Sequence, residues 1–158
     1  MYTYAVGIAG SETCVEASED LPGDSVFYDS GLSFAKLLKD RLGESLDVVH
    51  YCGQDTAWLA EKAEKADCIV INTSVTNRAY NENSARLPAR EKELCRMLLK
   101  VKGRKIVVST GNPYAVRSLA GQDCTVFTYG LCTASLNAAV KGLTGEMVFT
   151  GKLPISLK

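Results

Sequence analysis

The sequence has few of the residues that carry metal or acid–base chemistry near neutral pH. Its 158 residues include one histidine, His50, and one tryptophan, Trp58. The six cysteines are widely spaced and form no C-x-x-C pair, which argues against a structural zinc site. We therefore expect no metal, and we expect reduced thiols in the core, with a disulfide pair as the alternative. We interpret His50 as a structural residue of a strand, and Trp58 as a core residue or an interface anchor.

The sequence also lacks long hydrophobic runs and an excess of charge of one sign. No stretch approaches the ~18 consecutive apolar residues that a membrane-spanning helix needs. The first ten residues, MYTYAVGIAG, do not resemble a secretory signal. Eighteen basic residues balance 18 acidic ones, so no surface suited to a polyanion is expected. We predict no membrane or nucleic-acid partner, and the chain as given favours a cytoplasmic location.

What the sequence does contain is an alternation of short apolar runs with segments of helical periodicity. Strands are predicted at 4–10, 46–52, 67–74, 104–110 and 124–130, and helices at 31–42, 55–66, 87–101, 114–120 and 133–143. This order is typical of βα units on a parallel sheet. We predict one domain over residues 1–158, a three-layer α/β/α sandwich of the flavodoxin-like or Rossmann-like kind. Its sheet should be mostly parallel, with five or six strands.

The tail of the chain is predicted to have no helix. Residues 145–158, GEMVFTGKLPISLK, contain two glycines and a proline, which favour an extended or hairpin segment. Pro154 would restrict any strand there to a sheet edge.

The stretch VVSTGNPYAV, residues 107–116, runs from a strand into a turn that resembles a ligand-binding loop. A flavodoxin-type phosphate loop, however, is expected after the first strand, where residues 9–24 carry five carboxylates that would repel a phosphate. A nucleophile elbow needs G-x-S-x-G, which is absent here. The turn itself is explained by shape: Gly111 leaves the strand, Asn112 caps the next helix, Pro113 opens it and Tyr114 packs at the sheet edge. We predict no cofactor, with a small flavin- or nucleotide-binding protein as the alternative.

The second half of the chain resembles the second domain of glycoside hydrolase family 3. The G-N-P-Y turn is followed by a strand ending in Tyr-Gly, an alanine-rich helix and a G-K-L-P terminus, in the order that this family shows. Residues 105–157 carry the resemblance, and residues 1–104 match only in the order of elements. The likeness is greatest to two-domain β-N-acetylhexosaminidases, in which a barrel precedes an α/β sandwich. Beyond the turn, the matching residues are Tyr129, Gly130, Gly145, Gly151, Lys152, Leu153 and Pro154.

The resemblance implies that the catalytic groups lie in a barrel that this sequence does not contain. The chain is then a non-catalytic C-terminal domain, inactive alone, that supports a barrel in cis or in trans. In β-glucosidases of the family the second domain lends an acid–base glutamate, and NENSARLP makes Glu82 the corresponding candidate. Arg78, Arg86 and Arg90 are candidates for binding carboxylates of the partner, although such residues are also common as solvated charges. A homodimer and a free-standing interaction module are further alternatives, and the sugar is left open.

Overall fold

The computed structural model describes residues 3–8, 30–51, 56–75, 85–130 and 132–157, with side chains at 34–49 and from Tyr51 onward within these ranges. The strands are β1 (Thr3–Ile8), β2 (Leu46–Tyr51), β3 (Cys68–Val75), β4 (Arg104–Gly111) and β5 (Cys124–Phe127). The α-helices are α1 (Ser30–Leu42), α2 (Ala57–Glu64), α3 (Ala89–Leu98) and α4 (Thr133–Leu143), and short 3-10 helices cover Gly43–Ser45 and Pro113–Val116.

The strands form one parallel sheet in the order β2-β1-β3-β4-β5. β1 pairs with β2 from Thr3↔Leu46 onward and with β3 from Thr3↔Cys68 onward. Helices α1 and α4 pack on one face of the sheet, and α2, α3 and the 3-10 helix Pro113–Val116 pack on the other. The predicted three-layer α/β/α sandwich with a five-stranded sheet is confirmed, and every strand pair in the described part is parallel.

Strand β3 lies at the centre and is buried on both faces because its apolar side chains alternate. Ile69 and Ile71 pack towards α2 and α3, whereas Cys68 and Val70 pack towards α1 and α4. Such near-continuous burial is typical of a parallel strand that helices cover on both sides. Strand β3 thus contributes to the hydrophobic layers on both faces of the sheet.

The helices on the α2/α3 face are shorter than predicted. Thr56 precedes α2, but its side chain makes no capping hydrogen bond. Helix α3 ends at Leu98, and Gly103, at a φ of 95°, completes the turn into β4. A Cβ at Gly103 would lie 2.8 Å from the Ala66 carbonyl oxygen. The backbone at Gly103 is therefore too close to that carbonyl group for a side chain. On the face of this segment that is turned to the sheet, Leu94 and Leu98 are buried, while Met97 and Val101 are partly buried.

The tail after α4 contains no helix or strand in the described residues 144–157, so the predicted hairpin is not found in that range. It is tied to the helical layer by Arg41 of α1, whose Nε lies 2.7 Å from Glu146 Oε1. The ring of Phe149 lies against Gly142 of α4, in the space that a Cβ there would occupy. None of the helices in the described part of the chain combines the length and apolar character that crossing a bilayer requires.

Candidate functional site

The candidate site lies at the carboxyl edge of the sheet, which we define as the edge where Tyr51, Val75, Gly111 and Phe127 end their strands. Because all strands are parallel, these ends meet at one edge, where open α/β sheets place their ligands or partners. Helices α2, α3 and α4 also begin at this edge, because each follows a strand that ends there. The turn singled out in the sequence, residues 111–114, lies in this edge.

The Gly-Asn-Pro-Tyr turn has the geometry predicted from its residues. Gly111 has a φ of 92°, which favours glycine. The Asn112 side chain caps the 3-10 helix by accepting a hydrogen bond from Tyr114 N at 3.0 Å, and Pro113 occupies the first helical position. The capping role of Asn112 is confirmed. The helix predicted over 114–120 is shorter than expected and of the 3-10 kind, since it covers only Pro113–Val116.

The backbone amides of this turn are directed inward. Asn112 N donates to the Val75 carbonyl oxygen at 2.9 Å, and Ala115 N donates to the Asn112 carbonyl oxygen at 3.2 Å. Tyr114 N donates to the Asn112 side chain, and Pro113 has no N–H. A phosphate cradle needs amides that point at the anion. The turn therefore closes on itself and offers no such cradle.

The hydroxyl groups at the carboxyl edge are also used to hold neighbouring strands together. Thr110 Oγ1 donates to the Thr73 carbonyl oxygen at 3.0 Å, and Ser109 Oγ donates to the Asn112 carbonyl oxygen at 3.4 Å. Both side chains are fully buried. In this arrangement the hydroxyls stabilise the pairing of β3, β4 and the turn.

Two half-exposed tyrosines stand out at this edge. Tyr114 is 39% exposed and Tyr129 is 49% exposed. Tyr129 also has a φ of 53°, in the left-handed region that non-glycine residues seldom adopt, and its ring centroid lies 6.4 Å from that of Phe127. The residue type does not predict this backbone conformation, since the glycine that would favour a positive φ, Gly130, stands one position later.

The candidate arginines have different environments. Arg90, in the first turn of α3, donates from Nε to the Tyr51 hydroxyl at 3.1 Å, and its guanidinium carbon lies 5.9 Å from the Tyr51 ring centroid. Arg90 is thus engaged with its own domain. Arg86 is exposed just before α3. Arg78 and Glu82 lie outside the described residues, so their roles stay predictions.

The residues of the G-K-L-P motif are mostly exposed. Gly151, Lys152 and Pro154 are exposed in the tail after α4, and only Leu153 among these four is partly buried.

Trp58 is 40% exposed, with Lys62 Nζ 5.6 Å from the centroid of its ring. The interpretation of Trp58 as a core residue is therefore wrong. The side chain of His50 lies outside the described residues.

The cysteines of the described residues are all free thiols, but they are not all buried. Burial and the nearby Glu91 carboxylate raise the pKa of Cys95 to about 12. Cys132, just before α4, is exposed, and its Sγ lies 3.3 Å from Ser135 Oγ. Hydrogen bonding from the Ser135 hydroxyl, and then from backbone amides of the helix start, lowers the pKa of Cys132. The expectation of core thiols is wrong for Cys132.

Within the described ranges, no group of three His, Cys, Asp or Glu side chains is placed to hold a metal ion.

Comparison with known proteins shows a shared fold. No protein-family model matches the sequence, and no curated protein matches it. A fungal multi-domain GH3 β-N-acetylglucosaminidase, which contains a GCN5-related glucosamine N-acetyltransferase region, superposes over 98% of this chain with a TM-score of 0.69 and 21% identity. A glycoside hydrolase family 3 β-N-acetylglucosaminidase from Paenibacillus sp. str. FPU-7 superposes over 98% with a TM-score of 0.65 and 20% identity.

The chain spans only a small part of each of these proteins. It corresponds to 15% of the fungal chain and 27% of the Paenibacillus chain. At this identity, the comparison establishes the fold and no further property.

Proposed function

We propose that this chain is an accessory α/β domain of a glycoside hydrolase of family 3, of the β-N-acetylhexosaminidase type, and that it supports a separate catalytic barrel. The observation that carries the proposal is the pair of superpositions, in which 98% of this chain matches 15% and 27% of two β-N-acetylglucosaminidases of that family. In both cases most of the enzyme lies outside the matched region. The G-N-P-Y to G-K-L-P order in the sequence agrees with this assignment.

The chemistry of the carboxyl edge supports a non-catalytic role for the chain. A retaining glycosidase needs two reacting groups about 5 Å apart on either side of the glycosidic bond. The turn amides and the Ser109 and Thr110 hydroxyls are instead hydrogen-bonded within the domain. In this proposal the barrel supplies the nucleophile and the acid–base group, and this domain supplies a surface.

The same edge is proposed to contact the barrel. Arg86 is exposed there, just before α3. In the sequence, the segment 76–84, with Arg78 and Glu82, follows β3 and lies outside the described residues. Arginine is well suited to paired hydrogen bonds with carboxylates of a partner surface. The proposal gives this segment the role of a loop lent to the sugar site.

Two experiments test the proposal. The purified chain is incubated with nitrophenyl N-acetylglucosaminide, and we expect no turnover. A Glu82→Gln variant is the matched control. Release of nitrophenol by the chain, lost in Glu82→Gln, would show that the domain is itself catalytic and would reject the proposal.

The second experiment replaces the matching region of the Paenibacillus enzyme with this chain. We expect the chimera to fold and to retain hydrolysis that an enzyme lacking the region has lost. Arg86→Ala in the chimera should weaken the association of the two parts without abolishing the fold of either. A chimera as inactive as the deletion would count against a shared role.

A further inference from the structure

We propose that the groove between α2 and α3 binds a second copy of this chain, so that two copies pair through an antiparallel contact of their α3 helices. The groove lies on the outer side of the α2/α3 layer, and its lining residues belong to α2, α3 and the turn after α3. The pairing therefore leaves the carboxyl edge free for the proposed contact with a barrel and does not depend on that contact.

The groove combines an apolar lining with charges of both signs. It has a volume of about 440 Å³, and the partly buried Met97 and Val101 contribute apolar surface to it. The charged residues that line it are all exposed, and they are Glu64, Glu93, Arg96 and Lys100. An occupant of this groove must therefore offer an apolar centre and charges of both signs, which a polyanion or a surface of one sign does not.

The charges of the groove are not used within the domain. In the described part of the chain, none of these four charged groups forms an ion pair. Elsewhere around α2, by contrast, Lys62 Nζ lies 2.9 Å from Asp47 Oδ2, and Lys65 Nζ lies 2.8 Å from Glu61 Oε1. The two acids and two bases of the groove are thus available to a partner.

The charged residues of α3 lie along one stripe of the helix. Glu93, Arg96 and Lys100 occupy positions i, i+3 and i+7, and Met97 lies between them at i+4. The turn after α3 continues the stripe to Lys100, whose amide donates to the Met97 carbonyl oxygen at 3.1 Å. The stripe thus begins with an acid, has Met97 near its middle and ends with a base.

A second copy of the chain supplies the same charges in the reverse order. A two-fold axis between Arg96 and Met97 places Glu93 of each copy opposite Lys100 of the other, because the two residues are equally far from that axis. The axis repeats the contact, and the two Met97 side chains meet beside it. Exposed ion pairs fix the orientation of such a contact more than its strength, whereas burial of Met97 and Val101 supplies most of the affinity.

Sedimentation equilibrium of the purified chain over about 1–100 µM tests the pairing, because weak associations populate both monomer and dimer in this range. We expect the average mass to rise from 17.0 kDa towards twice that value as the concentration increases. Glu93→Lys and Lys100→Glu should each raise the Kd of the dimer by about tenfold or more, since each turns attractive contacts on both sides of the axis into repulsive ones. Glu61→Lys is the matched control, because it makes the same change of charge on α2 outside the groove, and it should leave Kd unchanged.

An equimolar mixture of Glu93→Lys and Lys100→Glu separates this contact from any other. One variant carries two bases at these positions and the other carries two acids, so each repels its own copy and the mixed pair is complementary. We expect each variant alone to be largely monomeric and the mixture to dimerise at least as well as the wild-type chain. Circular dichroism checks that each variant is folded, which we expect because both positions are exposed.

Three results would overturn the proposal: a wild-type chain that stays monomeric throughout, a dimer that Glu93→Lys does not weaken, or a mixture that fails to pair. Binding of the Paenibacillus barrel to the wild-type chain that Glu93→Lys abolishes would assign the groove to the barrel and would also overturn it. The turnover and chimera experiments test the proposed function separately, and neither depends on whether the chain dimerises.

Discussion

Cys132 and Cys95 are expected to differ in reactivity because their surroundings differ. The pKa of Cys132 is lowered, chiefly by hydrogen bonding from the Ser135 hydroxyl, and that of Cys95 is raised to about 12 by burial. The thiolate is the species that reacts with alkylating reagents. We expect iodoacetamide at pH 7 to modify Cys132 well before Cys95, and the labelling rate of Cys132 to reach half its maximum below the pH of an ordinary thiol. Peptide mass spectrometry over a pH series measures both.

Ser135→Ala provides the control for this prediction. Loss of the hydroxyl should move the half-maximal pH of Cys132 labelling upward and leave Cys95 unchanged. A midpoint that does not move would show that the helix start alone determines the thiol pKa.

Asn72 is a buried polar residue at the centre of the sheet. It is 1% exposed, and neither Oδ1 nor Nδ2 has a hydrogen-bond partner among the described residues. An unmet buried amide costs on the order of 1–3 kcal/mol. We expect Asn72→Val to raise the free energy of unfolding by about 1 kcal/mol, because the amide is replaced by an apolar side chain suited to a strand. Urea denaturation measures the change.

Thr110→Val is the matched comparison for Asn72→Val. It removes a hydroxyl that does have a partner, the Thr73 carbonyl oxygen, and should therefore lower the free energy of unfolding by about 1 kcal/mol. If Asn72→Val is destabilising instead, the amide is bonded to a buried water molecule or a ligand.

Local chemistry explains which single residues the sequence could predict. The Asn112 cap depends on atoms two residues apart, so the residue types determine it. Three other properties depend on how distant elements pack. They are the exposure of Cys132, the positive φ of Tyr129 and the lack of a hydrogen-bond partner for Asn72 among the described residues. Asn72, for example, lies in register between Gly7 of β1 and Val108 of β4, and neither neighbour can be known without the strand order.

The Gly-Asn-Pro-Tyr turn permits a prediction on one element. Asn112→Ala removes the acceptor of the Tyr114 amide and should lower the free energy of unfolding by about 1 kcal/mol. Asn112→Asp keeps a side-chain oxygen at the same place and should lose less. Urea denaturation of the two variants provides the measurement, and equal losses would show that the cap contributes little.

Elements were predictable where the pattern is long and regular. Helix α4 spans the predicted residues 133–143, and its buried side chains recur with helical spacing. Residues 114–120 were too few for periodicity to distinguish a helix from a 3-10 turn. Helix α3 ends at Leu98, three residues before its predicted end. The chain there tightens into a turn that leads to Gly103, which lies against the Ala66 carbonyl group.

At the scale of the whole molecule, one contact that holds the tail to the helical layer is that of Phe149 with α4. The Phe149 ring occupies the space beside Gly142 that a Cβ would fill. We expect Gly142→Ala to displace the ring and to accelerate chymotrypsin cleavage at Phe149. The free energy of unfolding should fall by no more than about 1 kcal/mol, since alanine favours the helix over glycine by a similar amount.

Lys141→Ala is the control for the tail, because it changes an exposed neighbouring side chain and leaves the Phe149 contact intact. It should not alter the cleavage rate. Cleavage at Phe149 that is equally fast in wild type and Gly142→Ala would show that the ring contact does not hold the tail.

The fold class was predictable because short apolar runs alternate with helical segments along the whole chain. The strand order and the packing of the tail were not, since they depend on which helix crosses which face. The candidate site was predicted in part: the sequence located the Gly-Asn-Pro-Tyr turn but not the positive φ of Tyr129.

The position of β1 between β2 and β3 has a consequence for synthesis of the chain on the ribosome. Strand β1 must wait for residues 46–51 to gain one neighbour and for residues 68–75 to gain the other. Until then its amide and carbonyl groups are open on both sides. A nascent chain halted before β3 therefore exposes the strand that later occupies the interior, and this stage is where a chaperone would have most effect.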